Sequence, residues 1–204
     1  MAKVKKTKGE LKTQRNALRR YHRFLPTLEL KKQQLQREVR HADTILHEAA
    51  ERESALLDRM RPWVKLLSSW PEAGSYVQVE DIEFESVNIA GVTVPSLGAV
   101  RFAEPAIDYF STPAWLEDAI AALRELTTLR AEQLVLRRQR DLLAEELRVT
   151  AQRVNLLEKV MIVRAEHNIR VIRIALGDAQ TAAVARAKLA KSKTASLRSG
   201  TTGA

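Results

Sequence analysis

The chain has 204 residues, 29% of them charged and 5% aromatic, with no cysteine and a net charge of +9. The missing cysteines exclude disulfides and thiolate metal sites. The few aromatics and many charges suit a helical rod with a narrow apolar seam better than a globule.

Residues 1–8 are rich in lysine, and no apolar run follows them, so no signal peptide is read. Leu11, Leu18, Leu25, Val39, Leu46 and Met60 then fall on one heptad position. Tyr21, Leu28, Leu35, Ala42, Ala49, Leu56 and Trp63 fall on the position three residues later, and only Gln14, Lys32 and Glu53 interrupt the series. This pattern predicts one coiled-coil helix from about Gly9 to Leu67, roughly 85 Å long. A kink is expected before Pro26, because proline removes a backbone donor and crowds the preceding turn. Trp70, Pro71 and Gly74 end the pattern.

Residues 68–113 differ in kind. Val77 and Val79, then Ile82 and Phe84, alternate with polar residues, and the β-branched run Val87–Val94 has Gly91 near its centre. A β-hairpin over Glu80–Pro95 is expected, with Pro95 ending its second strand. Pro105 and Pro113 punctuate an irregular return. Ser111 or Thr112 can cap a second helix that opens on Pro113, with Glu117 and Asp118 in its first turn. That helix is read over 114–191. Its seam is weak from Arg124 to Asp141 and clear at Leu143, Leu147, Val154, Leu157 and Met161. Its most apolar stretch, Val160–Leu176, holds Arg164, Glu166, Arg170 and Arg173, too many charges for a membrane span. Residues 192–204, rich in Ser, Thr, Gly and Lys, are expected to be disordered.

The expected fold is therefore mainly α: a long antiparallel two-helix coiled coil with a small β-hairpin and irregular insert at the bend. Its domains are 1–67, 68–113, 114–191 and the tail 192–204. Setting Met60 beside residue 118 pairs Leu11 with His167 and leaves Ile169, Ile172 and Leu176 without a partner. Charge follows the same division. Residues 1–40 hold 13 Lys or Arg against 3 acids, 41–115 hold 5 against 12, and 116–204 hold 16 against 10. A hairpin would gather both basic ends together and keep the acidic middle apart, which suggests different partners for each.

No catalytic constellation is found. There is no GxxxxGK[ST] phosphate loop. His47-Glu48 opens like a zinc-protease motif, but Glu51 stands where the second histidine belongs. His41 and His47 face different directions on a helix. Glu51/Glu53 and Glu145/Glu146 read as ordinary exposed carboxylates. No cofactor, metal or enzyme activity is assigned.

Four stretches resemble one family, the D subunit of the V-type (A/V-type) rotary ATPases, the central rotor shaft. They are Thr7–Leu18 (TKGELKTQRNAL), Leu28–Leu35 (LELKKQQL), Asn88–Pro95 (NIAGVTVP) and Thr150–Glu158 (TAQRVNLLE). The sequence departs from the family in two places. Val163 follows Ile162 where the family has proline, and Asp178–Thr181 replaces an acidic Glu-Arg-Glu cluster.

The resemblance implies a non-catalytic shaft that couples ATP hydrolysis or synthesis to ion transport by rotating. Its open end would enter a hexamer of catalytic A and non-catalytic B subunits, and its bend would meet the F subunit and the membrane-ring adaptor. It would belong to a cytoplasmic, peripheral membrane complex. The seam expected to carry torque is Leu28, Leu35, Leu147, Val154 and Leu157. The expected hexamer bearing is Lys12, Arg15, Arg164, Ile169, Arg170, Ile172, Arg173 and Leu176. Glu80, Glu83, Glu85, Val87, Ile89 and Val92 would face the bend-end partners. Two other readings compete. One is the stalk of a type III secretion export ATPase, which the β-like insert argues against. The other is a basic helical hairpin that binds nucleic acid, which the acidic bend and the lack of interleaved aromatics argue against.

Overall fold

The computed structural model describes residues 4–69, 71–104, 110 and 112–200; Trp70, Pro105 and Ser111, singled out in the sequence, lie outside them. The elements in chain order are α1 (Lys8–Met60), a short α2 (Val64–Ser69), a 3-10 turn (Pro71–Tyr76), β1 (Val79–Ile89) and β2 (Val92–Phe102). Then come α3 (Leu116–Leu156), a π-turn (Leu157–Ile162) and α4 (Val163–Gly200). The molecule is thus mainly helical, with a two-stranded antiparallel sheet inserted between long helices. It divides into two compact units. A terminal unit is built from the chain up to Glu29 and from Gln152 onward; the other is Leu30–Ala151.

Local chemistry sets the helix ends. Thr7 caps α1: its Oγ1 accepts from the Glu10 amide at 3.2 Å, and its carbonyl accepts from the Leu11 amide at 3.0 Å. The helix passes through Pro26 without interruption. It stops at Met60 rather than near Leu67. Pro62 has no amide to donate and crowds the carbonyl one turn back, so residues 61–63 form a turn before α2 restarts. The second helix begins at Leu116, with the Leu116 amide on the Pro113 carbonyl at 3.0 Å, so Pro113 precedes it instead of opening it. At the other end α4 continues to Gly200, where a disordered tail is expected from residue 192. The run Ala185–Lys191 is almost all Ala, Lys, Arg and Leu, strong helix formers that carry the helix forward without a partner.

In the 30–151 unit, α1 and α3 lie side by side. Leu35, Ala42, Ala49 and Leu56, seven residues apart, are buried and form the α1 seam. Among the described residues five ion pairs cross to α3: Lys31–Glu146, Asp43–Arg140, Arg52–Glu132, Glu53–Arg130 and Arg59–Glu125, all between 2.8 and 3.2 Å. Numbers rise along one helix as they fall along the other, so the pairing is antiparallel. These pairs are partly exposed, and each contributes at most about 1 kcal/mol; their main effect is to specify register.

The hairpin, Val79–Phe102, contains the expected Glu80–Pro95 and is longer. Its tight turn is Ala90-Gly91, both at positive φ (50° and 79°), with the Gly91 amide on Asn88 Oδ1 at 3.0 Å. Pro95 sits inside β2, opposite Ser86, and does not end it. Its carbonyl accepts from Gln139 Nε2 of α3 at 2.6 Å, so that residue's ladder groups point away from β1 and the missing amide costs no strand hydrogen bond. Bulges at Glu80 and opposite Glu83 offset each other. At the second one Gly98 sits close to the opposite strand: a Cβ there would meet the Glu83 carbonyl at 3.2 Å and push it aside by a few tenths of an ångström.

The turn packs on the helices, where Ile89, Ala90 and Val92 join a core of Leu35, Val94 and Leu143. The hairpin inserted between the long helices therefore lies along the helix pair. An 11-residue strand spans about 36 Å, close to the roughly 37 Å of helix between Met60 and Leu35. The far end of β2 is tied to α3 by Arg124, which donates to the Ala103 carbonyl at 2.9 Å and stacks over the Phe102 ring at 5.4 Å. A smaller cluster of Leu116 and Ile120 with Leu67, Tyr76, Val77 and Trp115 closes the helix-to-helix connection.

In the terminal unit, Val154, Ile162, Ala165, Ile169 and Ile172 are buried, and Leu11, Leu18, Tyr21, Leu25 and Leu28 are half-buried. Asn168 Nδ2 donates to Gln14 Oε1 at 3.5 Å. The helices thus pair about one turn away from the expected Leu11–His167 register. Ile169 and Ile172 belong to the seam and are not left bare. From Gly177 every residue to Thr194 is exposed.

Candidate functional surfaces

The expected torque seam occupies interior positions. Leu35 is fully buried, Val154 is 4% exposed, and Leu28, Leu147 and Leu157 are half-buried. Leu147 packs on the Leu35–Val94–Leu143 core. A polar interlock interrupts the seam of the 30–151 unit. Buried Gln133 donates to the Ala49 carbonyl at 3.2 Å and to Glu53 at 2.8 Å, and Arg130 donates to Glu53 at 2.9 Å. The hydrogen bond from Arg130, then that from Gln133, holds the Glu53 carboxyl below its ordinary value of 4.5. Small Ala42 and Ala49 sit on the same α1 seam. The interlock marks where the α3 seam looked weak, and its sequence signal was Glu53 at an otherwise apolar heptad position.

The six expected bend-end residues divide. Glu80 and Glu85 are exposed, Glu83 pairs with Arg101, and Val87 is 42% exposed. Ile89 and Val92 instead turn onto the helical core and have little surface to offer a partner. Sequence reasoning passes over Phe84 and Leu134, 63% and 66% exposed, which line an apolar cleft of about 270 Å³ with Ile82, Pro95 and Val135.

The terminal unit carries the basic surface. Lys12, Arg15, Arg164, Arg170 and Arg173 are all exposed, and among the described residues none of them forms a salt bridge. The ion pairs that join two described residues lie in the 30–151 unit. Leu176 is half-buried at the end of the paired region. The His47–Glu51 pair is a solvent-exposed contact within one helix face, at 3.3 Å. Among the described residues no group of three His, Cys, Asp or Glu could hold a metal ion. None of their helices is long and apolar enough to cross a membrane.

Long paired helices, a docked hairpin with an Asn-Ile-Ala-Gly turn and a basic terminal unit agree with a sequence match over residues 10–192 to the family described as the ATP synthase D subunit. The chain belongs to that family. The V-type ATP synthase D subunit of Borreliella burgdorferi is 41% identical over 192 residues, covering 94% of this chain and 95% of its own. The protein of that name from Chlamydia caviae is 31% identical over 195 residues, covering 94% of each chain. That from Chlamydia pneumoniae is 32% identical over 195 residues, covering 93% and 92%. The match runs through the paired helices, the hairpin and most of α4, so family membership concerns the whole architecture and not one motif.

Proposed function

We propose that the chain is the central-stalk rotor subunit of a V-type ATPase or ATP synthase, without catalytic chemistry of its own. The terminal unit enters the hexamer of A and B subunits through Lys12, Arg15, Arg164, Arg170, Arg173 and Leu176. The 30–151 unit meets the F subunit and the membrane-ring adaptor through Glu80, Glu83, Glu85 and Val87. Coupling is mechanical: each angular position of the shaft favours one set of hexamer conformations through differential contacts. Ion movement through the membrane part follows from that rotation.

One contrast carries this reading beyond family membership. The salt bridges between described residues all lie in the 30–151 unit, whereas these five cations of the terminal unit are exposed and form none with described residues, as a surface kept for an acidic partner would be. The test is a triple variant, Arg164→Glu with Arg170→Glu and Arg173→Glu. Helicity by circular dichroism should not change, because these side chains hold nothing inside the molecule. Affinity for purified A–B hexamer should fall at least tenfold and lose its steep salt dependence. Unchanged affinity would remove the basic surface from the interface. Glu80→Lys with Glu85→Lys should spare hexamer entry and weaken the small partner.

A further inference from the structure

Between Val154 and Ile172 the seam of the terminal unit changes phase. Val154, Leu157 and Met161 keep heptad spacing, which continued would place Arg164, Asn168 and Val171 inside. The buried residues are instead Ile162, Ala165, Ile169 and Ile172, each one position later. The additional residue is taken up in the π-turn Leu157–Ile162, after which the Val163 amide returns to a short bond with the Val160 carbonyl. A π-turn accommodates one residue without advancing the helix face. Without that residue the apolar heptads would run unbroken from Val154 to Ile172, so the seam itself does not need the wide turn.

The phase left aside has been furnished with partners. Met161, Asn168 and Val171 are half-buried at the margin of the seam. Arg164 borders an open cavity of about 380 Å³, together with Glu10, Gln14, Tyr21 and Met161. Gln14, polar at an apolar heptad position, already accepts from Asn168, and it donates to Glu10 at 2.8 Å. A carboxylate and an amide therefore stand where Arg164 and Asn168 would arrive.

We propose that the terminal unit has two seam phases, exchanged by resolving the π-turn. In the second phase α4 turns by about 100° on its own axis, the angle of one residue. Arg164, Asn168 and Val171 enter the seam towards Glu10 and Gln14, and Ile162, Ile169 and Ile172 leave it. Burying a cation and uncovering isoleucines keeps this phase minor. In a rotor it lets the shaft end twist without unpairing its helices. That use rests on the proposed function, whereas the exchange belongs to the chain alone and is tested on the chain alone.

The chain has no native cysteine, so introduced pairs report cleanly. Gln14 opposite Asn168 in an antiparallel pair sets Leu18 level with Arg164. Leu18→Cys with Arg164→Cys reads the second phase, and Leu18→Cys with Ala165→Cys reads the observed one. In the full chain both disulfides should form, the first at least tenfold more slowly. Deleting Val160 removes the additional residue, so it should abolish the first cross-link and keep the second. If the Leu18→Cys, Arg164→Cys pair never links, or links equally with and without Val160, the proposal is overturned. If the deletion does not fold, amide exchange on the unaltered chain decides. Residues 157–171 should exchange as one block, at least tenfold faster than 143–154; equal protection overturns it.

Discussion

Leu35→Ala is the most searching test of how the hairpin is held. Leu35 is fully buried and clusters with Leu143 of α3 and Val94 of the hairpin, a core against which Val39 of its own helix, Leu147 of α3, and Ile89 and Val92 of the hairpin also pack. Removing three carbons from this site loses about 2.4 kcal/mol of transfer energy at ~0.8 kcal/mol per carbon. Three elements border the gap, so it can collapse only partly, and the total should be about 3–4 kcal/mol. Leu30, 54% exposed on the same helix, serves as control, and Leu30→Ala should cost less than about 1 kcal/mol. Urea unfolding followed by circular dichroism should show a lower midpoint for Leu35→Ala with an unchanged slope. Amide exchange should also rise at Gly91, Val92 and Val94 before it rises in the helices. If the two variants unfold alike, or if the turn stays protected while the helices weaken, the hairpin is not anchored at Leu35.

Two further outcomes follow from single residues. Ala90 holds φ of 50°, which strains any residue with a Cβ, so Ala90→Gly should raise stability by up to about 1 kcal/mol in the same unfolding assay. The Glu53 carboxyl is depressed when folded, so its contribution is present above its ordinary value of 4.5 and is lost as pH falls through the folded value. The stability difference between wild type and Glu53→Gln, measured against pH, should therefore shrink in acid; a constant difference would mean that the hydrogen bonds, not the charge, hold the interlock. Gln133→Ala leaves the Ala49 carbonyl and Glu53 short of a donor inside the pair and should cost about 1–3 kcal/mol, again by urea unfolding.

Part of the candidate surface is legible in the amino-acid order alone. The exposed cations Lys12, Arg15, Arg164, Arg170 and Arg173 lie on helix faces that the apolar seam leaves free, so knowing the seam is enough to place them. Ile169 and Ile172 looked like bearing residues because the register was taken one turn away. A helix records its own period but not how far its partner has slid along it. Ile89 and Val92 looked like partner contacts because alternation tells which residues share a face and not what covers that face. The phase change at Met161–Ile162 was written in the sequence as a one-residue slip between two apolar series.

The sequence by itself determined what local chemistry determines: the heptad that makes α1, the change of character after residue 67, the start of a second long helix after Pro113, and a hairpin centred near Gly91, where positive φ is tolerated; the earlier stop at Pro62 and the Thr7 cap came from the structure. The tertiary structure decided what depends on residues far apart in the chain. It laid the hairpin against Leu35 and Leu143, made room for Pro95 by giving its carbonyl to Gln139, and turned Glu53 from a flaw in the heptad into the acceptor of Gln133 and Arg130. It also took up the additional residue as a π-turn. Backbone propensity and periodicity act over a few residues, so they can be read along the chain. Burial, by contrast, is settled between segments, and it was burial that chose which of the available apolar and polar positions became the inside.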